Sequence, residues 1–421
     1  MGTTPPVNPI NSGDTAWVLM SSALVLLMTA PGLALFYGGM VRRKNILSVL
    51  MQCFMCLAIV SVLWVVYGYS LAFGKGSGIL EPYIGGLQWF MLNGVDINTP
   101  NPDYAATIPH QAYMVFQMMF AVITPALVIG SFAERVKFSA FVWFTVLWLT
   151  FVYCPLAHMV WSSDGLAGHT WGALDFAGGT VVHMNAGLAG LVTALFLGKR
   201  IGTSKQGMHN VPFVMIGASL LWFGWFGFNA GSAVTAGGLA TSAFVVTNTA
   251  TAAAALSWAA CEWIFTGKPT MVGAASGAVA GLVAITPASG FVDVGGSLWI
   301  GLLVSVFCFA MVSYVKPKLG YDDTLDAFGV HFIGGTWGAL ATGLFATKLI
   351  NPNGSGLFNG NPGQLLIQVK ACGLTIVFVG VMTWIICLII DKTIGMRAAS
   401  EDEIVGLDLS QHHERAYTIL D

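Results

Sequence analysis

The sequence predicts an all-α polytopic membrane protein: eleven transmembrane helices, built as two inverted five-helix repeats followed by a final helix. Three observations predict it. First, 56% of the 421 residues are hydrophobic and only 9% are charged, with a mean hydropathy of +0.76, which is too apolar for a soluble chain of this length. Second, the apolar residues fall into eleven runs, each able to supply the ~20 residues that cross a hydrocarbon layer. Third, two histidine-bearing segments far apart in the chain echo one another. Asp175 precedes His183 by eight residues and Gly187 and Gly190 follow it by four and seven, while Asp323, His331, Gly335 and Gly338 keep the same offsets.

Residues 1–14 are polar and proline-rich, lack a positive leader, and read as an extracytoplasmic N-terminus before a retained first helix. The spans follow at about 15–40, 46–73, 111–133, 138–161, 180–198, 211–231, 241–266, 269–286, 295–315, 327–349 and 364–390. Charged or glycine-rich junctions punctuate them, among them Arg42-Arg43-Lys44, Glu134-Arg-Val-Lys137 and Gly267-Lys-Pro269. The first repeat is 15–198, the second 211–349, the eleventh helix 364–390, and a polar tail fills 391–421. Alternate junctions place Arg42, Arg43, Lys44, Arg135, Lys137, Lys199, Arg200, Lys205, Lys268, Lys316, Lys318, Lys392, Arg397 and Arg415 on one side, against Lys75 and Lys348 on the other. Lysine and arginine in short loops stay cytoplasmic, so the N-terminus is expected outside and the C-terminus inside. His183 then sits on the fifth span running inward and His331 on the tenth running outward, the relation that inverted repeats produce.

Several functions are excluded at this stage. The net charge of −2 and the lack of a long basic run give no reason to expect nucleic acid. The seven cysteines lie mostly inside apolar runs, so Cys53-x-x-Cys56 reads as helix packing rather than zinc or redox chemistry. Neither histidine segment has the spacing of a metalloprotease, and no cofactor or metal is expected. A membrane enzyme using the histidines and Asp175 as a metal site remains the outlying alternative.

An ionisable residue inside a membrane span is costly and marks function by default. Two imidazoles at matched repeat positions can exchange a hydrogen bond and hold or pass one proton, but both cannot easily be charged together. A second group lies toward the outer ends of the spans: Phe120 on the third, Trp161 at the end of the fourth, Phe228 on the sixth, and Ser232 just beyond. Aromatic faces attract a small cation and a hydroxyl supplies an acceptor. Singly, Trp161 is equally explained as an interfacial belt residue and the phenylalanines as core. Asp175 reads either as a cap for the helix starting near Gly179 or as an acid at the outer mouth; Asp323 and Asp326 sit at span boundaries and suit structural roles as well.

Taken together, Ala34-Leu-Phe-Tyr-Gly-Gly-Met40 with Lys44-Asn45, Pro155-Leu-Ala-His-Met-Val-Trp161, Asp175-Phe-Ala-Gly-Gly-Thr-Val-Val-His183, Gly224-Trp-Phe-Gly-Phe-Asn-Ala-Gly-Ser232 and Phe328-Gly-Val-His331 resemble the ammonium transporter family (Amt/Mep/Rh), in its bacterial-type Amt branch, over essentially the whole chain. The resemblance implies a homotrimer with one pore per subunit in the bacterial inner membrane, carrying ammonium or methylammonium. It implies that Phe120, Trp161 and Ser232 form the outer ammonium site, that Phe120 and Phe228 form a stacked gate, that His183 and His331 are the pore pair, and that Asp175 is the supporting acid. Gly406-Leu-Asp408 and Ala416-Tyr417 resemble the ordered tail of bacterial and plant members, which implies docking of a PII-type regulatory protein (GlnK). A Rh-like electroneutral NH3 channel and an ammonium sensor are the alternatives. The absence of a signalling domain after residue 421 favours transport over sensing.

Overall fold

A computed structural model describes residues 9–202 and 207–417. Lys205 of the charge pattern lies outside the described residues, as do residues 1–8 of the N-terminal segment and 418–421 of the tail. The described residues are helical, with no strand beyond two isolated bridges, Asn101 with Ala105 and Val136 with Arg397.

Nine helices among the described residues are long and apolar enough to cross a membrane: Ser12–Met40, Arg43–Phe73, His110–Phe132, Phe138–Thr170, Gly179–Leu197, Val211–Gly231, Gly238–Thr266, Val294–Leu319 and Pro362–Ile394. At the place of the eighth expected span lies the 15-residue helix Met271–Ile285. At the place of the tenth, Phe328–Phe332 runs directly into Ile333–Phe345. Glycines lighten both segments, and at 1.5 Å per residue the former reaches only ~22 Å. Such a chain, with so many apolar helices, is a multi-pass membrane protein.

Helix starts follow local chemistry. Asn11 accepts from the Asp14 N–H at 3.1 Å, Asn210 from Phe213 at 3.0 Å, Thr270 from Gly273 at 2.9 Å and Asp293 from Gly296 at 2.8 Å. Each side chain satisfies an otherwise orphaned donor of a first turn. Gly198 and Gly267 end their helices at φ 73° and 85°, backbone that a side chain disfavours.

The centre of the bundle is His110–Phe132, buried over nearly its whole length, with Gly179–Leu197 beside it; Pro362–Ile394 and Val294–Leu319 lie at the periphery. The two histidine segments pack directly on each other. A Cβ on Gly187 would come within 2.3 Å of the Phe332 backbone nitrogen, and one on Gly335 within 3.0 Å of the His183 Cβ. Each glycine four residues after one histidine thus admits the helix that carries the other.

Cysteines 53, 56, 154, 261, 308, 372 and 387 are free and buried. At the end carrying the basic junctions, side chains tie loops and tail together. Glu134, with no exposed side-chain surface, accepts from Arg42 Nε at 2.8 Å, the Arg42 N–H at 2.6 Å and Arg200 Nη1 at 3.0 Å. Arg200 in turn forks onto Asp322 at 2.8 and 2.9 Å. Glu403 holds Arg397 at 2.6 Å, and Arg397 donates to the Leu197 and Lys199 carbonyls. The tail is ordered through Tyr417: Leu407 N–H donates to Asn45 Oδ1 and Ser48 N–H to Asp408 Oδ1, both at 2.8 Å.

Candidate functional site

His183 and His331 each ride on a short stretch of wide, i→i+5 helix, Gly179–Met184 and Phe328–Phe332. Each stretch is preceded by its aspartate in the same structural job. The Asp175 carboxylate accepts from the N–H groups of Gly178 at 2.8 Å, Gly179 at 2.6 Å and Thr180 at 2.8 Å, and from the Thr180 hydroxyl. Asp323 accepts from Ala327 at 3.2 Å and Phe328 at 2.8 Å. Of the two roles open to Asp175, capping occupies both of its oxygens. Burial raises its carboxyl above the usual range, and the hydrogen bonds from Thr180, Gly179 and Gly178 pull it back. Asp326, in contrast, pairs with Lys316 at 2.6 Å.

The imidazoles of His183 and His331 lie nearly parallel, 11° apart, with centroids 5.5 Å apart. They touch but do not hydrogen-bond: both nitrogens of His183 and Nδ1 of His331 are buried without any partner. The donor–acceptor exchange that the sequence allowed is therefore absent from this arrangement. Three bare ring nitrogens in an apolar interior are expensive, so their natural complement is a small polar guest.

The two rings line a narrow cavity with room for about 10 Å³, walled by Leu33, Ile123, Leu127, Val182 and Leu221, about the size of one small molecule. Phe228 closes it on one side, its ring 5.9 Å from that of His183 and 4.3 Å from that of Phe120. Beyond Phe120, Trp161 stands edge-on at 5.8 Å, fixed by an indole N–H bond of 3.0 Å to the Asp175 carbonyl. Phe120, Trp161 and Ser232 all line one open cup of about 230 Å³. The Ser232 hydroxyl donates to the Phe228 carbonyl at 2.9 Å, which leaves its oxygen free to accept. On the other side His331, Val279 and Phe36 also line a vestibule of about 270 Å³ that reaches Asp326 and Glu262. Cup, aromatic pair, histidine cavity and vestibule follow one another in a line. All seven expected residues lie along or directly behind it.

Sequence reasoning missed several lining groups. Trp225 stacks on His183 at 5.3 Å and 19°, held by a 2.8 Å bond to Thr286. Gln117 lines the cup with its buried Oε1 unpartnered. Both precede a predicted gate phenylalanine by three residues, so helical spacing places them on the same face. Tyr104 and Tyr113, stacked at 5.3 Å, complete the cup. Burial, above all, pushes the Tyr104 hydroxyl up to about 12, and it donates to the Phe73 carbonyl at 2.6 Å. Tyr113 precedes Gln117 by four residues and Phe120 by seven on the same helix face, whereas no signal in its polar loop points to Tyr104.

Residues 16–417 match the model of the Ammonium Transporter Family. The chain is 52% identical over 406 residues to an ammonium transporter of Bacillus subtilis, covering 96% of this chain and 98% of the relative. It is 46% identical to Ammonium transporter Amt1 of Archaeoglobus fulgidus, covering 97% and 100%. The crystal structure of Saccharomyces cerevisiae Mep2 superposes with a TM-score of 0.85 at 34% identity, covering 93% of this chain and 88% of that one.

Proposed function

The chain belongs to the ammonium transporter family, and from that premise we propose that it recruits NH4+ at the cup of Phe120, Trp161 and Ser232, deprotonates it below the Phe120–Phe228 gate, and passes NH3 along the histidine cavity. The proton moves separately, with His183 and His331 assisting. The observation that carries this reading is the set of three partnerless imidazole nitrogens in a cavity otherwise lined by hydrocarbon.

Magnitudes favour dividing the ion. A charge at the bilayer centre costs from ~2.5 to ~17 kcal/mol depending on context, while one cation–π contact returns ~0.5–2 kcal/mol. Aromatic contacts therefore hold the cation at the cup but do not carry it through. A species able to lose its proton continues; K+ has none to lose and stays out.

The wider arrangement belongs to the same reading. The eleven spans form inverted halves, 15–198 and 211–349, with 364–390 added; the matching aspartate caps and the reciprocal Gly187 and Gly335 contacts support this. The N-terminus lies outside and the tail on the cytoplasmic face of the bacterial inner membrane, three subunits assemble, and the ordered tail offers a docking face to a PII-type protein.

Currents recorded from the reconstituted full chain test the transport mechanism. Ammonium and methylammonium should each evoke a saturable current and K+ none. Ammonium flux without current would replace the reading by an electroneutral channel, and no response to ammonium would end it.

A further inference from the structure

The carboxylates around the cup are almost all committed to structure. Asp14 accepts from the Ala236 N–H, Asp96 from Asn98 and Thr99, Asp164 from Ser162 and Gly76, and Asp175 from the helix start that precedes His183. Asp103 is different. It is exposed, it is the one carboxylate residue lining the cup, and among the described residues its carboxylate takes no hydrogen bond and no ion pair.

Its position is nevertheless fixed. Asp103 and Ala105 N–H groups close the turn onto Asn101 at 3.1 and 2.8 Å. The next residue, Tyr104, is pinned by its bond to the Phe73 carbonyl and its stack on Tyr113. Ordering of the neighbouring backbone thus holds an unneutralised negative charge at the rim of a cup whose other polar groups carry no net charge.

We propose that Asp103 is the electrostatic collector of the outer mouth, raising the occupancy of the cup by a small monovalent cation before the proton is removed. This rests on the ammonium reading above. Asp103 acts on capture and not on the later steps, because it lies on the solvent side of the Phe120–Phe228 pair and has no contact with the histidine cavity. Two unit charges ~7 Å apart in water alter occupancy about threefold, and salt at molar concentrations screens that within ~3 Å.

The test compares wild type, Asp103→Asn, Asp103→Glu and Asp103→Lys as full chains in proteoliposomes, recording ammonium currents at low ionic strength and in ~1 M sodium chloride. Asp103→Asn should raise KM about threefold at low salt with an unchanged maximal current, Asp103→Lys should raise it further, and Asp103→Glu should stay at the wild-type value. All four should converge in high salt. The proposal is overturned by a wild-type KM in Asp103→Asn at low salt, by a rise that persists unchanged in high salt, or by a fall in maximal current. Loss of the wild-type ammonium current itself would instead remove the transport reading, so the two failures are distinguishable.

Discussion

The histidine cavity and the charged belt at the end carrying the basic junctions handle buried polarity in opposite ways. In the belt, Glu134, Asp322 and Glu403 each hold a guanidinium, and the loops and tail are fastened through them. In the cavity, two histidines have been brought together and three of their nitrogens left bare. Charges paired across loops and tail fix a structure, although single atoms such as Arg42 Nη2 stay unpartnered even there. In the cavity, by contrast, the bare nitrogens face a space that a small guest completes. Stability is therefore expected to reside in the belt and selectivity in the cavity, and substitutions in the two regions should separate cleanly.

The largest loss of stability is expected from Glu134→Ala. It leaves Arg42 without its carboxylate and takes one of two from Arg200, which keeps Asp322, and breaking a buried pair from one side costs ~3–5 kcal/mol. A fall in thermal midpoint of the detergent-solubilised protein, larger than for any cavity substitution, is the expected result. A wild-type midpoint would break the division between the regions.

A smaller and pH-dependent loss is expected from Asp322→Asn. Burial raises this carboxyl, but the hydrogen bonds and charge of Arg200 outweigh it and hold it at about 2. Its folded value thus lies below the unfolded value of ~3.9, so its stabilisation is complete above about pH 4 and disappears as the pH falls toward 2. After allowance for partial exposure it amounts to ~1–2 kcal/mol. The gap between wild type and Asp322→Asn in denaturation curves should be present at pH 7 and close near pH 2; a gap independent of pH would assign the effect to packing instead.

Asp175→Ala comes next, at about 1 kcal/mol for a lost cap, and it links the two regions. Because the Asp175 carboxylate orders Gly178 to Thr180, and so the turn whose backbone carbonyl holds Trp161, the variant should also lower ammonium current. Asp175→Asn, which retains one acceptor oxygen, should lie between. Stability and current both unchanged would leave the cap without consequence.

The cavity was more legible in the sequence than the belt. His183 and His331 stand out because an imidazole is rare in hydrocarbon, and the repeated offsets to Asp175, Gly187, Asp323 and Gly335 announce that the two belong together. The structure supplies the reasons: an aspartate cap before each, and a glycine after each that admits the other helix. Phe120, Trp161, Phe228 and Ser232 were legible only as a group, since any one alone suits ordinary packing. The belt was hidden because, apart from Arg397 with Glu403, its partners lie far apart in the chain, from the 66 residues between Glu134 and Arg200 to the 362 between Asn45 and Leu407, and sequence spacing says nothing about contacts at that range. Span length was legible where leucine and valine dominate. At the expected span 269–286 the helix, Met271–Ile285, is shorter, because small residues there favour close packing over reach.

The smallest stability change is expected where the functional change is greatest, in the double variant His183→Leu with His331→Leu. Burying an unpaired polar group is unfavourable, and replacing it by an apolar group of similar bulk removes that cost while adding some strain in a tightly packed site. The two effects oppose each other, so the thermal midpoint should stay within the range of a conservative core substitution, roughly 1 kcal/mol. The cavity, however, then offers neither a polar guest site nor a route for the proton. Ammonium currents should fall and K+ exclusion should weaken as the same passage loses the groups that distinguish a proton-bearing ion from a bare one. If currents and K+ exclusion both survive the double substitution, the bare nitrogens have no role in conduction, and the contrast between a structural belt and a functional cavity fails at its functional end.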